Sequence, residues 1–194
     1  MTLAPLVARL AEASNFKRRS GLHSETTGSG MAGSTARTIV EDLKQTRPFA
    51  SLGQEAYVTL LRTADDARRL GASVLEDSDI TLQQYNVLRI LRGAGPEGLP
   101  TLAIGERMVE RTPGVTRLID RMVDRSWVVR ERCKKDRRRV WCRITDEGLE
   151  LLDALDGPIR RVDSVIGDAL SDDEMRALVS LLDRIRAQVS SDIG

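Results

Sequence analysis

Apolar side chains return at intervals of three and four along most of this chain, and each stretch of that rhythm predicts a helix. Over residues 53–77 the repeating positions are Tyr57, Leu60, Leu61, Ala64, Ala67 and Leu70. A second helix is announced at Thr81. Thr81 and Gln84 form a T-x-x-Q capping box, Ile80 and Tyr85 stand where a hydrophobic staple would close, and Leu88 and Leu91 continue the apolar face up to "RGAGPEG". A short helix is expected to begin near Pro100, with Leu102, Ile104 and Met108 as its apolar positions and Gly105 permitting close approach to a neighbour. Thr112 as cap and Pro113 at the first helical position then predict a fourth helix. In it Val115, Leu118, Ile119, Met122 and Val123 make one stripe, while Pro113, Arg117, Asp120, Arg121 and Asp124 face the other way.

The period then shifts. "WVVRERC" and "VWCRIT" read as two strands joined by "KKDRRR", a β-hairpin with a strongly basic tip. Helix resumes at "DEGLELLDAL", where Pro158 is expected to interrupt or kink it. A last helix opens on a second capping box, Ser171 with Glu174, stapled by Leu170 and Met175. It carries Met175, Leu178, Val179, Leu182 and Ile185 at helical spacing. The fold class is mainly α with a small β-hairpin. At the other end, residues 1–14 allow a short amphipathic helix. The stretch "SNFKRRSGLHSETTGSGMAGST" is poor in apolar residues, so residues 1–45 are expected to form a mobile extension. Lys17, Arg18 and Arg19 make a basic arm the alternative reading of that segment.

Composition narrows the chemistry. Only 3% of residues are aromatic, so a core drawn from the 41% hydrophobic content must be mainly aliphatic. The net charge of +1 conceals a division. Residues 106–143 hold thirteen Lys and Arg against six acids, whereas residues 146–194 hold five Arg against twelve acids. A compact basic block is the footprint of a phosphate-binding surface. The two cysteines, Cys133 and Cys142, form no CxxC pair, and His23 is the single histidine, too few ligands for zinc. With no catalytic histidine, phosphate-cradling glycine loop or metal cluster, no enzyme and no cofactor is expected. No apolar run reaches membrane-spanning length, and "MTLAPLVARL" lacks a basic leader region, which predicts a cytoplasmic protein.

The order of helix, short helix, turn, amphipathic helix with outward arginines, and basic hairpin is that of a winged helix-turn-helix. An α-helix fits the major groove of B-DNA, and a narrow basic hairpin tip suits the minor groove, where arginine meets concentrated negative potential. The plainer alternative for Arg117 and Arg121 is a solvated face on which they pair with Asp120 and Asp124.

From about Thr81 to Gly148 the chain resembles the MarR family of bacterial transcription regulators. The likeness is carried by Val115-Thr116-Arg117 at the start of the recognition helix. It is carried equally by the wing pattern of Asp136, Arg138, Val140, Ile144, Thr145 and Gly148. The resemblance implies a homodimer, usually a repressor, built by helices from both ends of the chain: 46–79 and 149–194 flanking a DNA-binding domain over 80–148. It implies a double-stranded DNA operator, with Arg138 directed at the minor groove and Asp136 orienting the wing. Thr112, Thr116, Arg117 and Arg121 are then the candidates for the major groove and its phosphates. Arg137 and Arg139 join Arg138 on the wing, and Lys134 and Lys135 are phosphate contacts. Relatives bind small, often phenolic ligands between the lobes, which makes Tyr57 and Tyr85 candidates for an aromatic effector site. This chain departs from the family in three places. Val109 stands where the turn often has Gly, Ser126 replaces the usual Gly before the wing, and Pro113-Gly114 offers no side-chain donors ahead of Val115. The rival readings are a winged-helix module for RNA or protein, and a thiol-based redox regulator. The second would need Cys133 and Cys142 to face each other across a hairpin centred on residues 137 and 138.

Overall fold

The computed structural model describes residues 37–111, 113–132 and 140–193. Thr112, Cys133 and the whole basic tip from Lys134 to Arg139 lie outside these, as do residues 1–36 with His23 and the arm Lys17–Arg19. The described residues divide into two compact units at the boundary between residues 64 and 65.

In the first unit a single helical turn, α1 (Ile39–Asp42), is closed by a capping box in which Thr38 and Glu41 bond each other's backbone N–H. This turn falls inside the segment 1–45 expected to be an extension. The long helix α2 (Leu52–Ser73) starts in this unit and contains the boundary between the two. Its start is held by Ser51, whose Oγ accepts from the Gln54 N–H at 3.1 Å. On this helix Tyr57 and Leu61 are exposed at 62% and 53%, while Leu60 and Leu70 are half-buried, so the predicted apolar stripe is covered only in part.

In the second unit the Thr81–Gln84 capping box forms as the sequence requires and opens α3 (Leu82–Ala94). Val87, Leu88 and Leu91 of this helix are fully buried. The chain then makes a two-residue strand, β1 (Leu99–Pro100), followed by α4 (Thr101–Arg107), α5 (Val115–Asp124), β2 (Val128–Arg132) and β3 (Val140–Ile144). Pro100 is therefore the residue preceding α4 rather than part of its first turn. The sheet order is β1-β3-β2, with both pairings antiparallel. The sequence predicted only the hairpin, because two residues are too short to show an alternating pattern. Gly98 makes this third strand possible. Its φ is +68, and a Cβ there would collide with the carbonyl of Cys142 on β3.

The hairpin register pairs Val128 with Ile144 and Arg132 with Val140, so Arg130, not Cys133, stands opposite Cys142. This is not the register centred on residues 137 and 138 that a Cys133–Cys142 pairing would need. Cys142 is fully buried, 3.6 Å from Thr101 Oγ1, and acts as a small core residue.

Helix α6 (Asp146–Gly167) runs through Pro158 without interruption. Of the interruption or kink expected from the missing N–H and the ring's steric demand, the interruption does not occur. Leu152 and Leu155 bury one face of α6 before the proline, and two carboxylates, Asp153 and Asp156, meet Arg92 of α3 at 3.6 and 3.7 Å. The last helix, α7 (Asp172–Ile193), begins at the predicted Ser171–Glu174 capping box. The core gathers Leu88 and Leu91 of α3, Ile104 of α4, Ile119 and Met122 of α5, and Val128 and Cys142 of the sheet. Each fully buried aliphatic side chain contributes about 1.5–3 kcal/mol.

Candidate nucleic-acid interface

Helix α5 owes its placement to its apolar stripe. Leu118, Ile119 and Met122 are buried and Val115 and Val123 half-buried, as the periodicity predicts. The opposite face, with Thr116, Arg117, Asp120, Arg121 and Asp124, is exposed. Gly105 of α4 faces Val115 of α5, where a Cβ would lie 3.4 Å from Val115 Cγ2, an ordinary van der Waals contact, so the packing of the two helices does not depend on the glycine.

The start of α5 differs from the expectation. Pro113 lies in the turn, and the N-cap is Gly114, at φ +95 and ψ +27. That left-handed conformation is open to glycine at little cost. It brings the helix start two residues later than a cap at Thr112 would. Gly114 has no side chain to accept from the first-turn N–H groups of α5, which leaves a helix end suited to an anionic oxygen.

One contact settles how the arginines of this face are divided. Arg130, on β2, reaches across to α5, where its Nη1 pairs with Asp120 Oδ1 and its Nη2 donates to the Thr116 carbonyl at 2.9 Å. Its Nε is buried and makes no hydrogen bond among the described residues. Asp120 is thus engaged by the sheet. Among the described residues neither Arg117 nor Arg121 pairs with a carboxylate. The plainer alternative, in which Asp120 neutralises the helix's own arginines, does not hold for Asp120. Two guanidinium groups one turn apart stay available on the exposed face.

The far end of α5 is fixed by Arg125. Its Nη2 meets Asp79 Oδ2 at 2.5 Å, its Nη1 donates to the Asp79 carbonyl at 3.2 Å, and its guanidinium lies 5.1 Å from the Trp127 ring centroid. Ser126, where the resemblance had led one to expect Gly, takes the left-handed conformation itself at φ +60. At the base of the hairpin Thr145 accounts for the Thr-x-x-Gly pattern. Its Oγ accepts from the Gly148 N–H at 3.1 Å, capping α6, and its hydroxyl donates to the Ser126 carbonyl at 2.6 Å.

A groove of 1210 Å³ runs between α4, the first turn of α5 and the strands, with Leu102, Gly105, Arg111, Pro113, Thr116 and Arg130 among its walls. Tyr85 lies elsewhere, buried in α3, where its hydroxyl accepts from Arg89 Nη1 at 2.7 Å. That hydrogen bond and the adjacent phenol ring raise the Arg89 pKa above its ordinary value. Of the predicted DNA-contact residues, the structure brings Thr116, Arg117 and Arg121 onto one face. Thr112, Lys134, Lys135, Asp136, Arg137, Arg138 and Arg139 fall outside the described residues. Arg130 was missed by sequence reasoning, and its alternation with exposed Val129 and Glu131 was the available signal that it points back toward the helices. Among the described residues no cluster of three His, Cys, Asp or Glu side chains is placed to hold a metal, and no helix is long and apolar enough to cross a membrane.

A helix-turn-helix whose second helix exposes Arg117 and Arg121 and is held to a three-stranded sheet by Arg130 has the arrangement of a winged helix-turn-helix protein. The model of the MarR family matches residues 80–140. A solved MarR transcription factor from Planctomyces limnophilus is 40% identical, the match covering 70% of this chain and 98% of that one, with a TM-score of 0.55. The HTH-type transcriptional regulator YkoM of Bacillus subtilis is 35% identical over 100 residues, 51% of this chain and 63% of that protein, so the match spans less than two thirds of its length. The structure of Bordetella bronchiseptica BpsR, whose DNA binding is regulated by 6-hydroxynicotinic acid, shares the fold at 21% identity. It has a TM-score of 0.61, with 68% of this chain and 98% of that one covered. The chain belongs to the MarR family of winged-helix, DNA-binding transcription regulators.

Proposed function

We propose that this protein is a homodimeric, effector-responsive repressor that binds a specific duplex operator, with α5 in the major groove and the basic wing in the minor groove. The observation that carries this reading is the division of charge on α5: Asp120 is taken by Arg130, while Arg117 and Arg121 are exposed. In the groove these two arginines reach base edges and phosphates, with Thr116 beside them and Thr112 at the approach. Pro113 and Gly114 supply no side-chain donors, so the wing carries a larger share of the readout. There Arg138 enters the minor groove, Arg137, Arg139, Lys134 and Lys135 hold phosphates, and Asp136 orients the hairpin.

Dimerisation is supported by what a lone chain leaves uncovered. On α7, Leu181, Ile185 and Val189, spaced four residues apart on one side of the helix, are each exposed at 45–51%, a row of aliphatic side chains that a second copy would bury. Two recognition helices must then fit successive major grooves about 34 Å apart, so a small pivot between copies is enough to lose affinity. An effector acting on that pivot is supported by the fold shared with BpsR, and Tyr57 and Tyr85 are the residues proposed to meet an aromatic one.

The test is fluorescence anisotropy with duplex DNA from upstream of the gene, against scrambled duplex and RNA, over a salt series. Selective duplex binding that falls on the order of tenfold or more in Arg138→Ala, with a shallower salt slope in Arg117→Ala, supports the reading. Binding indifferent to sequence and to both arginines overturns it.

A further inference from the structure

The turn between α4 and α5 has no glycine until Gly114, and no other described residue within it has a positive φ. Side chains from outside the turn fix its path instead. Met108 is buried. The Val109 N–H donates to Asn86 Oδ1 of α3 at 3.0 Å, while the Val109 side chain is 85% exposed. The next residue, Glu110, is held from two helices: Arg68 Nε of α2 donates to its Oε1 at 2.6 Å, and Gln83 Nε2 of α3 donates to its Oε2 at 3.2 Å. Arg68 is itself steadied by Asp65 at 3.4 Å.

An acid on the approach to a DNA-reading helix is electrostatically unfavourable. If it served only charge balance, any exposed position would do. Here both carboxylate oxygens are engaged, one by each neighbouring helix, five residues before α5 begins.

We infer that Glu110 is a positioning residue for DNA recognition: gripped by Arg68 of α2 and Gln83 of α3, it sets where α5 starts relative to those helices. The inference rests on the proposal that α5 reads DNA. A displacement of the helix start moves Arg117 and Arg121 away from the base edges while leaving their charge in place. Specific binding therefore suffers more than non-specific binding.

The opposite signs of the two effects make the test sharp. Full-length protein would first select a duplex from a random-sequence library, and Arg117→Ala would be checked for loss of binding to it. If no duplex is selected, or Arg117→Ala binds it unchanged, the DNA reading of α5 fails and not this inference. With a selected duplex in hand, Glu110→Ala and Arg68→Ala are each expected to weaken it by about fivefold or more. On scrambled duplex Glu110→Ala should bind as well as the wild type or better, because a repelling charge has been removed. The charge-swapped double variant, Arg68→Glu with Glu110→Arg, should recover most of the selected-duplex affinity. Should Ala unfold the protein, Glu110→Gln carries the same test, with a fall in the ratio of selected to scrambled binding of about threefold. Equal loss on both duplexes in step with a lowered Tm, no loss on either, or no recovery in the swapped pair would each overturn the inference.

Discussion

Arg130 and Thr116 are joined by a 2.9 Å hydrogen bond from a wing strand to the backbone of the recognition helix, donated by the same guanidinium that pairs with Asp120. A planar fork with separate nitrogens serves both acceptors at once, which a lysine ammonium cannot do in the same geometry. Arg130→Ala and Arg130→Lys should both lower stability, by about 1–2 kcal/mol for alanine, and both should weaken duplex binding although Arg130 need not touch DNA. Urea unfolding alongside anisotropy checks this. A lysine variant equal to wild type in both would mean that charge alone matters.

Ser126 carries a φ of +60 just before β2. A side chain in that region costs roughly 1–2 kcal/mol where glycine is free of the penalty. Part of the gain is offset by glycine's larger unfolded-state entropy. Ser126→Gly should therefore stabilise the protein by about 0.5–1 kcal/mol, while Ser126→Val should destabilise it. Indistinguishable melting curves for all three proteins would show that the turn relaxes without cost.

Gly148 has the opposite sensitivity. A Cβ at this position would lie 2.5 Å from the Trp127 carbonyl oxygen and 2.8 Å from Ile144 Cγ1. The obstructing atom is backbone, so it cannot swing aside. Gly148→Ala should cost about 1–3 kcal/mol, measured as a lower midpoint of denaturation. The disturbance should centre on Trp127, whose fluorescence reports it directly.

The Ser171–Glu174 capping box makes the start of α7 sensitive to acid. The Ser171 hydroxyl, and then its backbone N–H, hold the Glu174 carboxyl below its ordinary pKa. A depressed carboxylate pKa contributes stability that is full above the unfolded value, about 4.3, and is lost as pH falls through the folded value. Wild type should lose part of its α7 helicity in that acid window, whereas Glu174→Gln should show a flatter profile across it. Circular dichroism against pH, with both proteins titrated together, decides the matter.

Much of this architecture is written in local signals. Capping boxes at Thr81 and Ser171 and the stripe from Val115 to Val123 appear where residue chemistry demands, because each involves neighbours a turn apart. What stayed hidden depends on distant partners. The hairpin register, with Arg130 opposite Cys142, is set jointly by strand pairing and the reach of Arg130 to α5. The pairing of Leu99 with Cys142 joins residues far apart in the sequence, and no periodicity in two residues announces it. The grips on Glu110 and Asp79 are likewise long in sequence and short in space. Continuation of α6 through Pro158 shows a local preference overridden by the rest of the helix.

The β1–β3 pairing has a further consequence for how the domain opens. By joining Leu99 to Cys142 it ties together the two ends of the segment that contains α4, α5 and β2. That segment is a loop closed at its mouth, so its parts cannot leave the body of the protein one at a time without first breaking the tie. Amide protons in α4, α5 and β2 should then exchange with solvent as one cooperative group, at a common rate set by the release of two residues in a strand barely long enough to bear the name.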